Sequence, residues 1–356
     1  MDPAARGLTG EEGVMRAFLA KPWLFSIVLA LALFVPHRVG ADDRFSHHRL
    51  VDRIVVFGDS LSDPGNAFAL NGGQIVAPPD YGMTTLAEVI QLVPEAPYAS
   101  RRFSNGPTWI ELLGATIGLG SSVKPAFAGS HGRASNYAVG GATASGAGPT
   151  DLAAQVDFFL RDVGGRAPVD ALYVIEFGGN DVRAILAGEN PAVVVGGAMA
   201  SIAQNVGRLH HAGARRFLIW NAPDLGRTPA LQRLNTFVAP GIAGIATNLS
   251  GLYNQNLQGV LHGLGALPDI AIVPFDAFGL LADVQAHPGR FGLRDATNAC
   301  IQPNVPMLGF PSAPPFRCAQ PDRHFFWDGI HPTRAGHAII AFLVGKTLLT
   351  AVLQDD

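Results

Sequence analysis

Short apolar runs bounded by glycine or polar residues recur along this chain, alternating with longer stretches whose apolar residues return every three or four positions. The runs predict strands at Ile54 to Phe57, Ser135 to Val139, Ala171 to Phe177, Arg216 to Asn221 and Ile270 to Pro274. The longer stretches predict helices near Trp109 to Ile117, Asp151 to Val163, Val193 to His211, Leu249 to Leu264 and Thr333 to about Leu349. Consecutive apolar residues, as in Ile54-Val55-Val56-Phe57, suit a strand covered on both faces. Strands of that kind alternating with helices predict an α/β fold: a three-layer α/β/α, doubly wound parallel sheet in one domain. Two connections rich in Gly and Pro break the rhythm, Ala67 to Pro107 and Pro288 to Pro321. Loops of that length within a domain are usually functional or mobile, and both flank the carboxyl edge of the expected sheet.

Composition narrows the class. Hydrophobic residues fill 48% of the 356 positions and charged residues 15%, enough for a sizeable core and too apolar for long disorder. A formal net charge of -3 and only three lysines, Lys21, Lys124 and Lys346, leave no basic face for nucleic acid. Near the amino terminus Arg16 and Lys21 accompany the apolar run Leu24 to Val35, and Val39-Gly40-Ala41 offers small residues for cleavage. That run lies between Pro22 and Pro36, shorter than the roughly 20 residues of a spanning helix, so it reads as an export signal rather than an anchor. The expected organisation is a signal with an upstream extension over 1–41, a short leader over 42–53 and one domain over 54–356, with Met15 as an alternative start. The expected location is secreted or periplasmic.

Three of the runs end on turns that carry chemistry, at the edge where parallel sheets gather ligands. IVVFGDSLSDPGN puts Ser60 there, although a lone Gly-Asp-Ser also suits a turn that caps a helix. NYAVGGATA brings Gly140 and Gly141, which either aim a backbone N–H into a site or simply make a tight turn. VIEFGGND brings Asn180, whose amide can donate to a developing oxyanion. FFWDGIHPT sets Asp328 three residues ahead of His331, before the last expected helix, with Pro332 suited to its first turn. In a turn the carboxylate can hold one imidazole nitrogen while the other takes a proton from a serine hydroxyl. Each stretch is weak alone; together they compose an acyl-transfer site.

These stretches resemble the four blocks of the GDSL family of SGNH hydrolases, here Gly58-Asp59-Ser60-Leu61, Asn136 to Gly141, Gly178 to Asp181 and Asp328 to His331. The likeness runs from about Ile54 to the carboxyl end. RRFSNGPTW (Arg101 to Trp109) and NAPDLGRTP (Asn221 to Pro229) are similar to the lecithinase and haemolysin-like lipases of that family. The resemblance implies a flavodoxin-like fold, Ser60 as nucleophile, His331 as base and Asp328 as its orienter. It also implies an oxyanion hole of the Ser60 backbone, Gly141 and Asn180. Gly141 is preferred to Gly140 because the family's glycine stands five residues after the block's asparagine, Asn136. The implied activity is hydrolysis of carboxylic esters, lipid or phospholipid acyl esters above all, without a cofactor. An acyltransferase using the same acyl-enzyme, a carbohydrate acetylesterase and a catalytically dead surface binding module are the alternatives. The expected protein is a monomer that touches lipid surfaces peripherally.

Cys300 and Cys318 fit an exported protein as a disulfide closing a Pro-rich loop, or stand as two buried thiols. Their spacing is wrong for zinc and no H-E-x-x-H occurs, so no metal is expected. Gly345-Lys346-Thr347 imitates the end of a phosphate loop, but Ile340 stands where its first glycine belongs. The lack of a G-x-S-x-G elbow argues against an α/β-hydrolase. His210 and His211 suit a helix end better than a metal. Phe325, Phe326 and Trp327 either line an acyl pocket or pack beneath the last helix, and Asn248-Leu249-Ser250 is a glycosylation sequon.

Overall fold

Strand β1 (Arg53–Gly58) buries Ile54, Val55, Val56 and Phe57 completely, since successive side chains enter opposite layers. Val55 and Phe57 join Tyr173, Ile175, Phe217 and Ile219 in one core. Ile54 and Val56 join Leu172, Val174, Leu218 and Trp220 in the other. These residues come from β1, β2 (Ala171–Glu176) and β3 (Arg216–Trp220), which with β4 (Ala271–Phe275) form a parallel sheet in the order β1-β2-β3-β4. A computed structural model describes residues 51–76, 93–129, 134–302 and 316–354 of the chain. The expected signal, the leader and the Met15 start lie outside these residues or at their margin.

Helices cover both faces. A short helix α1 (Asn66–Leu70) follows the Ser60 turn, and α2 (Trp109–Thr116) lies against the Ile54 side of the sheet. The Val55 side carries α3 (Leu152–Asp162), α4 (Gly179–Leu186), α5 (Pro191–Ala212), α6 (Pro229–Phe237) and α7 (Ile242–Leu264). The other side is completed by α8 (Ala277–Ala286) and α9 (Arg334–Gln354). In α5, Val194, Ala198, Ile202, Val206 and Leu209 bury a single stripe. Each buried Val, Ile or Leu there contributes about 1.5–3 kcal/mol, so packing sustains the helix despite Gly196 and Gly197. Its ends are set locally: the Asn190 side chain accepts from the Ala192 N–H, Pro191 takes the first turn, and Gly213 stops the helix at φ 124°.

The alternation of strands and helices gives the expected doubly wound α/β fold, with local differences. Ser135 to Val139 runs beside β1, bonded through Val56 N to Ser135 O, Tyr137 N to Val56 O and Val139 N to Gly58 O, yet only Asn136 forms a bridge. The pairing goes no further because the Gly58 N–H, which would continue it to Tyr137 O, is taken by Gln155 Oε1; on the far side the Asn136 carboxamide accepts from Ala138 N, and the Asn66 amide donates to the Asn136 and Ala138 carbonyls. These bonds also cap the outer edge of the sheet there. Helices α4, α6 and α8 were not expected from periodicity, and α7 begins at Ile242 rather than Leu249. Two further strands, β5 (Asp295–Ala299) and β6 (His324–Phe326), pair parallel apart from the main sheet, and β6 leads directly into Asp328.

Candidate active site

The turn that carries Ser60 is fixed on every side. Gly58 is the last residue of β1, and both its N–H and its carbonyl bond to the Gln155 carboxamide at 2.9 and 2.8 Å, which extends the ladder without another strand. A Cβ at Gly58 would stand 2.9 Å from Glu176 Oε2, so glycine is needed for this close approach. Asp59 then turns the chain by accepting from the Leu61 N–H through Oδ1 and the Ser62 N–H through its carbonyl. Ser62 Oγ donates to Glu176 Oε2 at 2.9 Å and accepts from Trp109 Nε1 at 3.0 Å. Downstream, the Asp63 carboxylate collects the N–H groups of Gly65, Asn66, Ala67 and Gly140.

Ser60 Oγ lies 2.9 Å from His331 Nε2, and His331 Nδ1 lies 2.8 Å from Asp328 Oδ2. Asp328 Oδ1 accepts the backbone N–H groups of Ile330 and His331, so the Asp-x-x-His turn closes on its own carboxylate. Asp328 and His331 are each 1% exposed, and Ser60 is 7% exposed. Phe103 stacks on the imidazole with centroids 5.5 Å apart. The rest of RRFSNGPTW braces the same segment: Ser104 Oγ donates to the Pro332 carbonyl, Asn105 Oδ1 accepts the Arg334 N–H, and the Trp109 N–H donates to His337 Nδ1. Burial, with the nearby His331, pushes His337 down to about 3, which keeps that acceptor nitrogen unprotonated.

Asn180 sits in the first turn of α4, after Gly178 at φ 117°. Its Oδ1 accepts from Arg183 Nη1 at 2.8 Å, which orients the amide, and its Nδ2 donates to the Ala142 carbonyl at 2.9 Å and to Asp59 Oδ2 at 3.1 Å. Asn180 lines the same cleft as Ser60 and His331. Gly140 and Gly141 are both buried, Gly141 at φ 85°. The Gly140 N–H is committed to Asp63 Oδ2, and a Cβ on Gly140 would come within 2.4 Å of the Phe103 ring. Gly141 follows it in the turn that Asp181 secures through the Ala144 and Ser145 N–H groups.

The cleft at Ser60 is lined by the polar Asp59, Asn180, Arg183 and His331 and by the apolar Trp220, Pro223, Leu225, Leu281, Phe325 and Ile340. Phe326 also lines it, whereas Trp327 turns away to pack with Tyr98 and the Cys300–Cys318 disulfide. Around the turn lie buried carboxyl groups to which the sequence motifs assign no role. Burial pushes Asp59 and Asp63 each up to about 6. It pushes Glu176 well above its ordinary value, helped by the nearby Asp59 charge, and raises Asp181. Tyr98, whose hydroxyl donates to Asp328 Oδ2 at 2.9 Å, also escaped notice, since no local pattern links positions so far apart.

A serine hydroxyl held against a neutral imidazole nitrogen, with a carboxylate on the other nitrogen, can attack an acyl carbon and pass its proton to the ring. Among the described residues no group of three or more His, Cys, Asp and Glu side chains is placed to hold a metal ion. A family model described as GDSL-like Lipase/Acylhydrolase matches residues 54–344. A GDSL esterase/lipase of Arabidopsis thaliana is 25% identical, the match covering 90% of this chain and 94% of its own. A second Arabidopsis thaliana GDSL esterase/lipase is 26% identical, over 80% and 81%. A phosphatidylcholine-sterol acyltransferase of Aeromonas hydrophila is 26% identical, over 90% of this chain and 95% of its own.

Proposed function

This chain belongs to the GDSL-like lipase/acylhydrolase family and is a carboxylic ester hydrolase, and we propose that it cleaves lipid acyl esters through an acyl-enzyme on Ser60. The observation that carries this reading is the continuous Ser60–His331–Asp328 hydrogen-bonded series opening onto an apolar cleft. Ser60 Oγ attacks the ester carbonyl carbon while His331 Nε2 takes its proton. The tetrahedral oxyanion is met by Asn180 and by the backbone N–H groups of Ser60 and Gly141. Collapse expels the alcohol, protonated by His331, and leaves the acyl group on Ser60. Water, deprotonated by the same imidazole, then releases the acid and restores the serine.

The apolar wall of Trp220, Leu225, Leu281, Phe325 and Ile340 suits an acyl chain better than a sugar, which would leave its hydroxyls unpaired there. Transfer to an alcohol instead of water is the second reading, favoured by the likeness to a phosphatidylcholine-sterol acyltransferase. Export completes the proposal: the amino-terminal apolar run and the Cys300–Cys318 bridge both suit an oxidising compartment, and a monomer meeting lipid surfaces peripherally suits the substrate. A panel of esters from acetyl to long acyl chains, including phospholipids with and without an added alcohol, tests the reading. Long-chain esters should be preferred, and Ser60→Ala should lower kcat by about 10⁴ to 10⁶ without unfolding the protein. A folded Ser60→Ala protein with a tenth of wild-type turnover would remove Ser60 from the mechanism.

A further inference from the structure

We propose that Tyr98 is a positioning residue of this site, its hydroxyl sharing Asp328 Oδ2 with His331 and so tempering the hold of the carboxylate on the imidazole; the inference rests on the reading of Ser60, His331 and Asp328 given above. Oδ2 accepts from His331 Nδ1 at 2.8 Å and from the Tyr98 hydroxyl at 2.9 Å, while Oδ1 accepts from the Ile330 and His331 N–H groups. The Ile330 and His331 backbone N–H groups can only donate and the Tyr98 hydroxyl donates, which suits an ionised carboxylate; an ionised carboxylate only accepts, so His331 Nδ1 carries its proton and Nε2 is left to receive the serine proton. Tyr98 is 5% exposed and Asp328 1%, so little water can replace the phenol.

The phenol is held from behind. The Tyr98 ring meets Trp327 edge-on at 5.9 Å and packs with Cys300, Ile301 and Cys318, and its backbone N–H is bonded to Glu95 O. A tyrosine that merely needed a partner could have taken any carbonyl of this region; this one takes the carboxylate oxygen that faces the base. Two donors share one oxygen, so each of the two hydrogen bonds is weaker than it would be to an unshared carboxylate oxygen. The phenol also holds Asp328 in one rotamer while the proton moves between serine, imidazole and leaving group.

The test is Tyr98→Phe, which keeps the ring and its apolar neighbours. Among the described residues, the charged or titratable groups near this pair include Asp59 and His337, both close to His331, and Arg317 over the neighbouring Trp327 ring. All are retained in the variant, so the difference isolates the hydroxyl. The expected result is a kcat about tenfold lower with KM within twofold, the range of one hydrogen bond to a charged group. The acid limb of kcat/KM against pH should move up by about half a unit, since Oδ2 then serves His331 alone. The His331 Nδ1 proton resonance should shift in parallel. Placing 3-fluorotyrosine at position 98 strengthens the donor and should move the limb the opposite way, which keeps the proposal refutable even if Tyr98→Phe fails to fold. Limb and kcat unchanged in either folded variant, with Ser60→Ala inactive, would overturn the role of Tyr98 alone. Activity surviving in Ser60→Ala would overturn the underlying reading instead.

Discussion

Asn180 presents its amide to two acceptors, the Ala142 carbonyl and Asp59 Oδ2, and the second of these lies beside the reacting serine. A ground-state ester carbonyl is a poor rival to a carboxylate for that hydrogen. A tetrahedral oxyanion is an equal one. On the proposed reading the Asn180 donor strengthens its grip as charge develops, which is the condition for lowering the barrier rather than tightening binding. Asn180→Ala should therefore lower kcat by about 10² to 10³ and change KM much less, as steady-state kinetics on a single ester will show. A raised KM with level kcat would make Asn180 a substrate binder. Arg183 acts one step behind, since its bond to Asn180 Oδ1 decides which end of the amide faces the site.

The described ends of the segment joining β5 to β6 bond to the residues just before Asp328. Cys300 N–H bonds to Phe326 O and Ile301 N–H to Trp327 O, while Cys318 N–H bonds to Cys300 O, so the disulfide loop is laced to the two residues that precede Asp328. The cysteines pack with Tyr98, Ile301 and Trp327, apart from both sheet cores. Closing a loop of separation 18 stabilises by about 3 kcal/mol on chain-entropy grounds. Reduction should consequently depress activity before it unfolds the protein, because displacing a reacting group by about 1 Å can cost 10²-fold while the sheet stands. Activity and circular dichroism followed together against reductant concentration check this; simultaneous loss of both refutes the local role. Strands β1 to β4 are legible because each is a bounded apolar run, α3 and α5 because their stripes repeat, and α9 because its apolar run is too long for a strand. Helix α4 hid behind Gly178-Gly179, α8 behind Gly279, and the early turns of α7 behind Gly244, all residues that signal turns locally and are overruled by packing. The Ser60, His331 and Asp328 cluster could be anticipated from motifs at strand ends, whereas Tyr98, Glu176 and Gln155 act only through partners distant in sequence.

Across the whole molecule, the acids gathered beneath the Ser60 turn set how stability responds to pH. Asp59 and Asp63, ordinarily at 3.8, are pushed up to about 6 by burial, and Glu176 is raised well above 4.5. A carboxyl raised in the folded state binds its proton more tightly there than in the unfolded chain. Its contribution is present at low pH and is lost as pH rises through the folded value, here from about 4 to beyond 6. Glu176→Gln cannot ionise and keeps an oxygen for Ser62 Oγ, so it removes the carboxyl that burial and the Asp59 charge raise. Melting temperatures of the variant should match wild type near pH 5 and exceed it near pH 8, flattening the profile; an equal or steeper decline would contradict this account. The bond between His331 and Ser60 joins positions 271 residues apart. If Ser60 is the nucleophile and His331 its base, as proposed, the first emerges during synthesis long before the second, and a nascent or clipped chain carries the serine without that partner. On the proposed reading, a cell whose own membranes are built of acyl esters is shielded from this enzyme until β6 and α9 have docked.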